Sequence, residues 1–223
     1  MRYVFQFGIV WDHLDKLIEG ALATLWMSSL AMVFGLAIGV AGAFLRKAGP
    51  RPVQWLVVAY VEFFRNTPLL VQLFLIYFSL PAIGVRLDAE TAAVIGLSIN
   101  LGAYATEIVR AGVEAVPQGQ IEAGRALGLS RPQIFGLIVL FPAVKSIYPA
   151  LASQFVILML GSSIVSTISA TELTAITNSL QSTTFRAFEF YFVATAIYLA
   201  MALALRVVLA GTYWFVFARG RPA

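Results

Sequence analysis

Five long apolar stretches, separated by short polar ones, account for most of the chain. The first is the clearest: Gly20 to Leu45 is 26 residues without a charge. A bilayer core needs only about 20 residues of helix, so a span is predicted over about residues 20–45. Four more are predicted over about 53–82, 91–110, 146–170 and 190–215. On the first, Gly35, Gly39 and Gly42, with Ala31 and Ala43, recur at three- and four-residue spacing, a face that lets helices approach closely. Arg46, Lys47 and Arg51 close it with a short basic loop.

Polar residues inside the later stretches mark candidate chemistry. The second is interrupted by Glu62, Arg65 and Asn66, followed by Thr67, Pro68 and Gln72. Unpaired charges there cost a few kcal/mol each on insertion scales, about as much as a membrane segment tolerates. Glu62 and Arg65 are three apart on one helical face and can pair, while Pro68 frees a backbone carbonyl one turn earlier. The segment either lines a substrate path or fixes helix packing by that pair. The third stretch carries Asn100, Tyr104 and Glu107, with Glu107 and Arg110 again at pairing distance; Asn100 is open to a helix-to-helix hydrogen bond or a substrate contact. In the fourth, Ser146 to Thr171 is uncharged, yet its latter half holds Gly161, Ser162, Ser163, Ser166, Thr167 and Ser169, which suits a translocation path or a tight subunit interface. Residues 172–189 are expected to form an outer loop, and Arg206 near the end of the last span to snorkel. The N-terminal 20 residues lack a small-residue cleavage site and read as an interfacial segment, with Trp11 at headgroup level and His13 solvated before the first helix.

Composition admits this all-α, polytopic membrane reading: 60% of the 223 residues are hydrophobic and 12% charged, against roughly 25% charged in soluble domains. Residues 1–223 are expected to form one membrane domain. There is no cysteine and only one histidine, which excludes a disulfide framework, a thiolate site and a multi-histidine metal site. The net charge of +4 comes from basic residues spread along the chain, with no cluster suited to nucleic acid. No phosphate-binding loop surrounds Lys16, Lys47 or Lys145, so no nucleotide cofactor is expected on this chain.

The polar segment from Pro117 to Pro142 stands apart. Pro117 fits the first position of a short helix, Gly128 supplies the freedom to end it, and Ser130 with Gln133 has capping-box spacing for a second helix whose first turn holds Arg131 and Pro132. Within it, Glu122-Ala123-Gly124-Arg125-Ala126-Leu127-Gly128 resembles the Glu-Ala-Ala loop of ABC importer permeases. Gly124 replaces the second Ala, and the proline expected near the motif's end comes one residue late, as Pro142. Two further stretches resemble the polar amino acid uptake subfamily of these permeases, the histidine, glutamate, glutamine, arginine and opine type. They are Glu62 to Gln72, with Asn66 in place of the usual Gly, and Ala103, Tyr104, Glu107 and Arg110. Leu160-Gly161 stands where the family often has Lys-Asp.

The resemblance, closest from Tyr60 to Leu173, implies a type I permease of five transmembrane helices, with a cytoplasmic coupling loop (117–142) between the third and fourth. It implies that Gln120, Glu122, Ala123, Gly124, Gly128 and Leu129 meet a separate ATPase, which binds the ATP and Mg. Glu62, Arg65, Asn66, Thr67, Gln72, Asn100, Ser162 and Ser163 are the candidates for the substrate path. Implied partners are an ATP-binding subunit dimer, a second permease subunit, an extracytoplasmic solute-binding protein and membrane lipid. The implied function is inward movement of a polar amino acid or opine-like derivative across a bacterial inner membrane by alternating access.

Charge gives an orientation. With the coupling loop inside, Arg46, Lys47, Arg51, Arg110, Arg125, Arg131, Lys145, Arg206, Arg219 and Arg221 are inside, and only Arg2, Lys16, Arg86 and Arg186 are outside. An N-terminus outside and a C-terminus inside follow from the excess of basic residues in cytoplasmic loops. Two other classes compete. A secondary carrier or channel would leave the docking motif without a purpose, and an intramembrane hydrolase lacks a cysteine, a histidine within a span and a base for any serine.

Overall fold

A computed structural model describes residues 3–218; Arg2, Arg219 and Arg221 of the charge count lie outside them. Among the described residues every regular element is helical. A short turn of helix, α1 (Gly8–Trp11), leads into α2 (Leu14–Ala48), 35 residues long. Next come α3 (Arg51–Arg65), α4 (Leu69–Phe74, extended by wide and tight turns to Ile83) and α5 (Ala89–Glu114). The chain continues through α6 (Gln118–Ala126), α7 (Arg131–Ile134), α8 (Leu140–Gly161), α9 (Leu173–Thr184) and α10 (Ala187–Tyr213).

The glycine face of α2 packs on α5. A Cβ added at Gly39 would lie 2.3 Å from that of Ala105, and Gly35 and Gly42 meet Leu101 and Thr106. Because the partners advance along α5 as they advance along α2, the two helices run parallel. The chain from residue 49 to 88 must therefore return across the bundle once, and it does so in two pieces, α3 and α4, bent by 112°. Ile147 of α8 meets Gly112 while Leu158 packs with Leu97 and Leu101, so α8 runs against α5; Tyr148 at the start of α8 donates to the carbonyl of Leu209 near the end of α10, so α10 runs against α8. Five crossings result, and the two described ends lie at opposite ends of the bundle.

Five expectations change here. The stretch over 53–82 is a broken helix, because Pro68 cannot donate to the carbonyl of Phe64 and α3 ends at Arg65. The fourth span does not begin near Ser146: helix is continuous from Arg131 to Ile168, passing through a π turn at Phe135–Val139 and ending in a 3₁₀ run, Ser162–Ile168. The polar stretch after it is no loop but holds α9, whose Leu173, Thr177 and Leu180 are buried at helical spacing. Finally, Pro117 caps α6 rather than opening it, and His13 is half-buried, with Nδ1 2.9 Å from the Ile9 carbonyl and its ring against Phe190.

Candidate coupling segment and translocation cleft

The exposed helix α6 is held by a narrow underside. Ile121 and Leu129 pack on a small cluster of Val116, Ile134, Val139 and Ala143. Gly124 is buried beneath the start of the fourth span, where a Cβ would come within 2.5 Å of Ile138 Cδ1. That atom is the end of a flexible side chain that can move aside, so Gly in place of Ala fits closely here without being demanded by the packing. At the end of α6, Gly128 takes φ +76°, its N–H donates to Arg125 O at 2.9 Å, and the Leu129 N–H donates to Gly124 O at 3.1 Å. That pair of bonds is a Schellman turn, in which the left-handed residue needs no Cβ. Ser130 then donates its N–H to Gln133 Oε1 at 2.8 Å, closing the capping box of α7. Gln120, Glu122 and Ala123 are left exposed, and Leu127, not singled out above, is 80% exposed. Its signal was a large apolar residue beside a turn glycine on an otherwise polar helix.

The break between α3 and α4 forms the second site. The carbonyl of Phe64, freed by Pro68, accepts from Gln72 Nε2 at 2.9 Å, and the same amide reaches Thr67 O at 3.0 Å and Thr67 Oγ1 at 2.8 Å. Gln72 is only 4% exposed, so it serves as a brace rather than a surface. Its Oε1 accepts from Asn100 Nδ2 on α5 at 2.9 Å, which realises the helix-to-helix hydrogen bond foreseen for Asn100. Asn100 also lines a cleft of about 480 Å³, with Thr67, Tyr104, Gln154, Ile157 and Gly161. A larger groove, about 680 Å³, runs between α2 and α5 past Trp26, Leu30 and Phe34, but its walls are almost wholly apolar. The smaller cleft sets four polar side chains, Thr67, Asn100, Tyr104 and Gln154, among apolar ones.

Arg65, Thr67, Gln72 and Asn100 are therefore brought together, and others are not. Arg65 does not pair with Glu62: its guanidinium lies 5.5 Å from the ring centroid of Tyr104, while Glu62 accepts from Asn66 Nδ2 at 2.9 Å, both exposed. The cause is the break itself, which ends α3 at Arg65 and turns its side chain toward α5. Ser162 is fully buried, donating to Met159 O at 2.7 Å beside Ser28 of α2, and Ser163 donates to Leu160 O at 2.9 Å. Tyr104, Gln154 and Gly161 complete the cleft; the sequence singled out Gly161 for a translocation path and Tyr104 only as a polar residue of the third span, and Gln154 bore no pattern.

Sequence pattern also missed two buried carboxylates at the opposite end of the bundle from α6. Glu172 caps α9, accepting from Ala175 N–H at 2.8 Å and from Tyr198 Oη at 2.6 Å, with Thr24 at 3.5 Å. Burial pushes its carboxyl above the ordinary range, against the pull of those donors. Glu189, on α10, accepts from the Tyr3 hydroxyl and the Gln6 N–H, with Arg186 at 3.8 Å.

Residues 32–217 match the model of the family described as "binding-protein-dependent transport system inner membrane component". The chain belongs to this family. It is 36% identical over 207 residues to the glutamine transport system permease protein GlnP of Escherichia coli (strain K12), covering 92% of this chain and 94% of that one. Identity is also 36% over 200 residues to a probable glutamine ABC transporter permease protein, GlnM, of Bacillus subtilis (strain 168), covering 90% and 93%. Among solved structures, an amino acid ABC transporter crystallised with histidines superposes with a TM-score of 0.90 at 36% identity, over 96% of this chain and 100% of that one. The methionine transporter MetNI, in an inward-facing form, shares the fold at 20% identity and a TM-score of 0.76, over 91% and 96%. This binding-protein-dependent transport component is a multi-pass inner-membrane protein and the permease subunit of an ABC importer, a transport component rather than a catalyst.

Proposed function

We propose that this permease moves a polar amino acid, or an opine-like derivative, into the cell, with α6 docked in a separate ATPase dimer that binds the ATP and Mg. The observation that carries the reading is α6 itself. A helix of nine residues is held from beneath by Ile121, Gly124 and the Schellman turn with Leu129, and it presents Gln120, Glu122, Ala123 and, at its end, Leu127 outward. Such a helix has no purpose in a carrier that works alone. The cleft supports the substrate class: Thr67, Asn100, Tyr104 and Gln154 offer neutral donors and acceptors, and Arg65 adds one cation beside them. The relatives named for glutamine, and another, 37% identical over 171 residues, named for L-cystine in Bacillus subtilis, point the same way. A second permease subunit, identical or paralogous, and an extracytoplasmic binding protein complete the transporter in this reading. The charge bias favours an outside N-terminus and an inside C-terminus.

Glu122→Lys reverses a charge on the displayed face, and Gly128→Pro cannot hold φ +76°. In proteoliposomes containing the ATPase and binding protein, both variants should reach the membrane and lose ATP-dependent amino acid uptake. Uptake at the parent's rate in both, or uptake by the chain without an ATPase, would overturn the docking of α6.

A further inference from the structure

One carboxylate joins two helices at the end of the bundle that carries α6. Glu107 of α5 accepts through Oε1 from Arg46, in the last turn of α2, and through Oε2 from Arg110, at 2.9 Å from Nη2 and 3.2 Å from Nε. Arg110 also donates from Nη1 to Glu114, the last residue of α5, at 2.5 Å. The side chains of Arg46, Glu107 and Arg110 are between 19% and 29% exposed, so water screens these pairs less than it does open surface pairs. Glu107 follows directly on Thr106, whose hydroxyl lies against Gly42, one turn beyond the tightest α2–α5 approach, Gly39 on Ala105. Beyond that seam, the Arg46 bond is what continues the contact between the two helices.

The same end of α5 carries the docking helix. Only Ala115, Val116 and Pro117 separate Glu114 from α6, and Val116 is buried against Ile134, Val139 and Ala143. Any push on α6 thus arrives at the last turn of α5 through a short, packed connection. Left alone, a terminal helical turn yields by fraying, since its carbonyls lack partners within the helix.

On the reading that α6 docks on the ATPase, we propose that Glu107 is a positioning residue for coupling. By holding Arg46 and Arg110 together it makes the ends of α2 and α5 one rigid lever, so that displacement of α6 moves both spans. The interaction crosses between helices at Arg46 and stays within α5 at Arg110, which separates a coupling role from simple helix stabilisation.

The test is uptake per ATP hydrolysed by the full complex in proteoliposomes, measured beside assembly yield. Arg46→Gln and Glu107→Gln should assemble and hydrolyse ATP, but lose uptake per ATP by about fivefold or more, the lower range of measured site-to-site coupling. Arg46→Lys, which keeps the cross-helix pair, should retain most of it, and Arg110→Gln should lose less than either. Parent-like coupling in Arg46→Gln and Glu107→Gln, while Glu122→Lys abolishes uptake, would overturn the proposal and leave the docking reading standing. A loss that tracks assembly yield in every variant, with Arg46→Lys no better than Arg46→Gln, would overturn it as well. If Glu122→Lys itself transports normally, the docking reading fails first and the lever with it.

Discussion

Arg65 rests on the ring of Tyr104, one helix away, and not on Glu62, one turn away. A cation over an aromatic face at an exposed site is worth about 0.5–1 kcal/mol, enough to hold the side chain in place but too little to anchor the fold. On the proposed reading, the guanidinium, positioned by α5, is available to a solute.

Arg65→Gln is therefore expected to weaken uptake with the complex still assembled, and Tyr104→Leu to do the same by releasing the arginine. Glu62→Gln should have a much smaller effect, and the double variant Glu62→Gln, Arg65→Gln should behave like Arg65→Gln alone. Transport kinetics beside size-exclusion profiles decide this: a double variant that recovers the parent's uptake would mean that the two charges are coupled after all.

Gly39→Val should be among the most damaging single changes in the spans. The added carbons have no room against Ala105 at 2.3 Å, and overpacking of this kind costs about 1–3 kcal/mol. Gly136→Ala, at a site where a Cβ meets nothing within 4 Å, is the control and should be neutral. Thermal unfolding of the detergent-solubilised chain should show a clear drop for the first and none for the second; equal midpoints would mean that the α2–α5 seam is looser than described.

Glu172 carries a pH dependence whose sign follows from its burial. Its folded carboxyl titrates above the unfolded one, so the neutral form is the one the fold favours. Its contribution to stability is complete below the unfolded value, near 4.5, and is lost as pH rises through the folded value. Glu172→Gln keeps an acceptor for the Ala175 N–H and cannot ionise. The variant should gain stability relative to the parent as pH rises above the unfolded value, near 4.5, and through the folded one, where the parent's carboxyl must ionise. Unfolding midpoints across that range test it, and a difference that stays constant or shrinks with rising pH would contradict it.

What the sequence alone determined about this protein was local or additive. The lengths of uncharged runs dictate helices able to cross a bilayer, because every backbone group in the core must bond within its own segment. Gly128 and the Ser130–Gln133 spacing specify the turn after α6, since a left-handed residue and a capping box depend only on neighbours along the chain. The seam of Gly35, Gly39 and Gly42 was legible because small residues at helical spacing have one common use. Tertiary structure decided the rest. Whether Arg65 pairs with a residue three positions back or with Tyr104 depends on where α3 ends and which helix it meets, and spacing alone left both Glu62 and the pathway open. Polar composition made 172–189 look like a loop, but α9 buries one stripe of it, and Glu172 is affordable inside because Tyr198 and Ala175, from elsewhere in the fold or the next turn, donate to it. The bend of 112° sets Thr67, Asn100, Tyr104 and Gln154 around one cleft. Those residues come from three stretches of chain, and no one-dimensional pattern records how the three face each other.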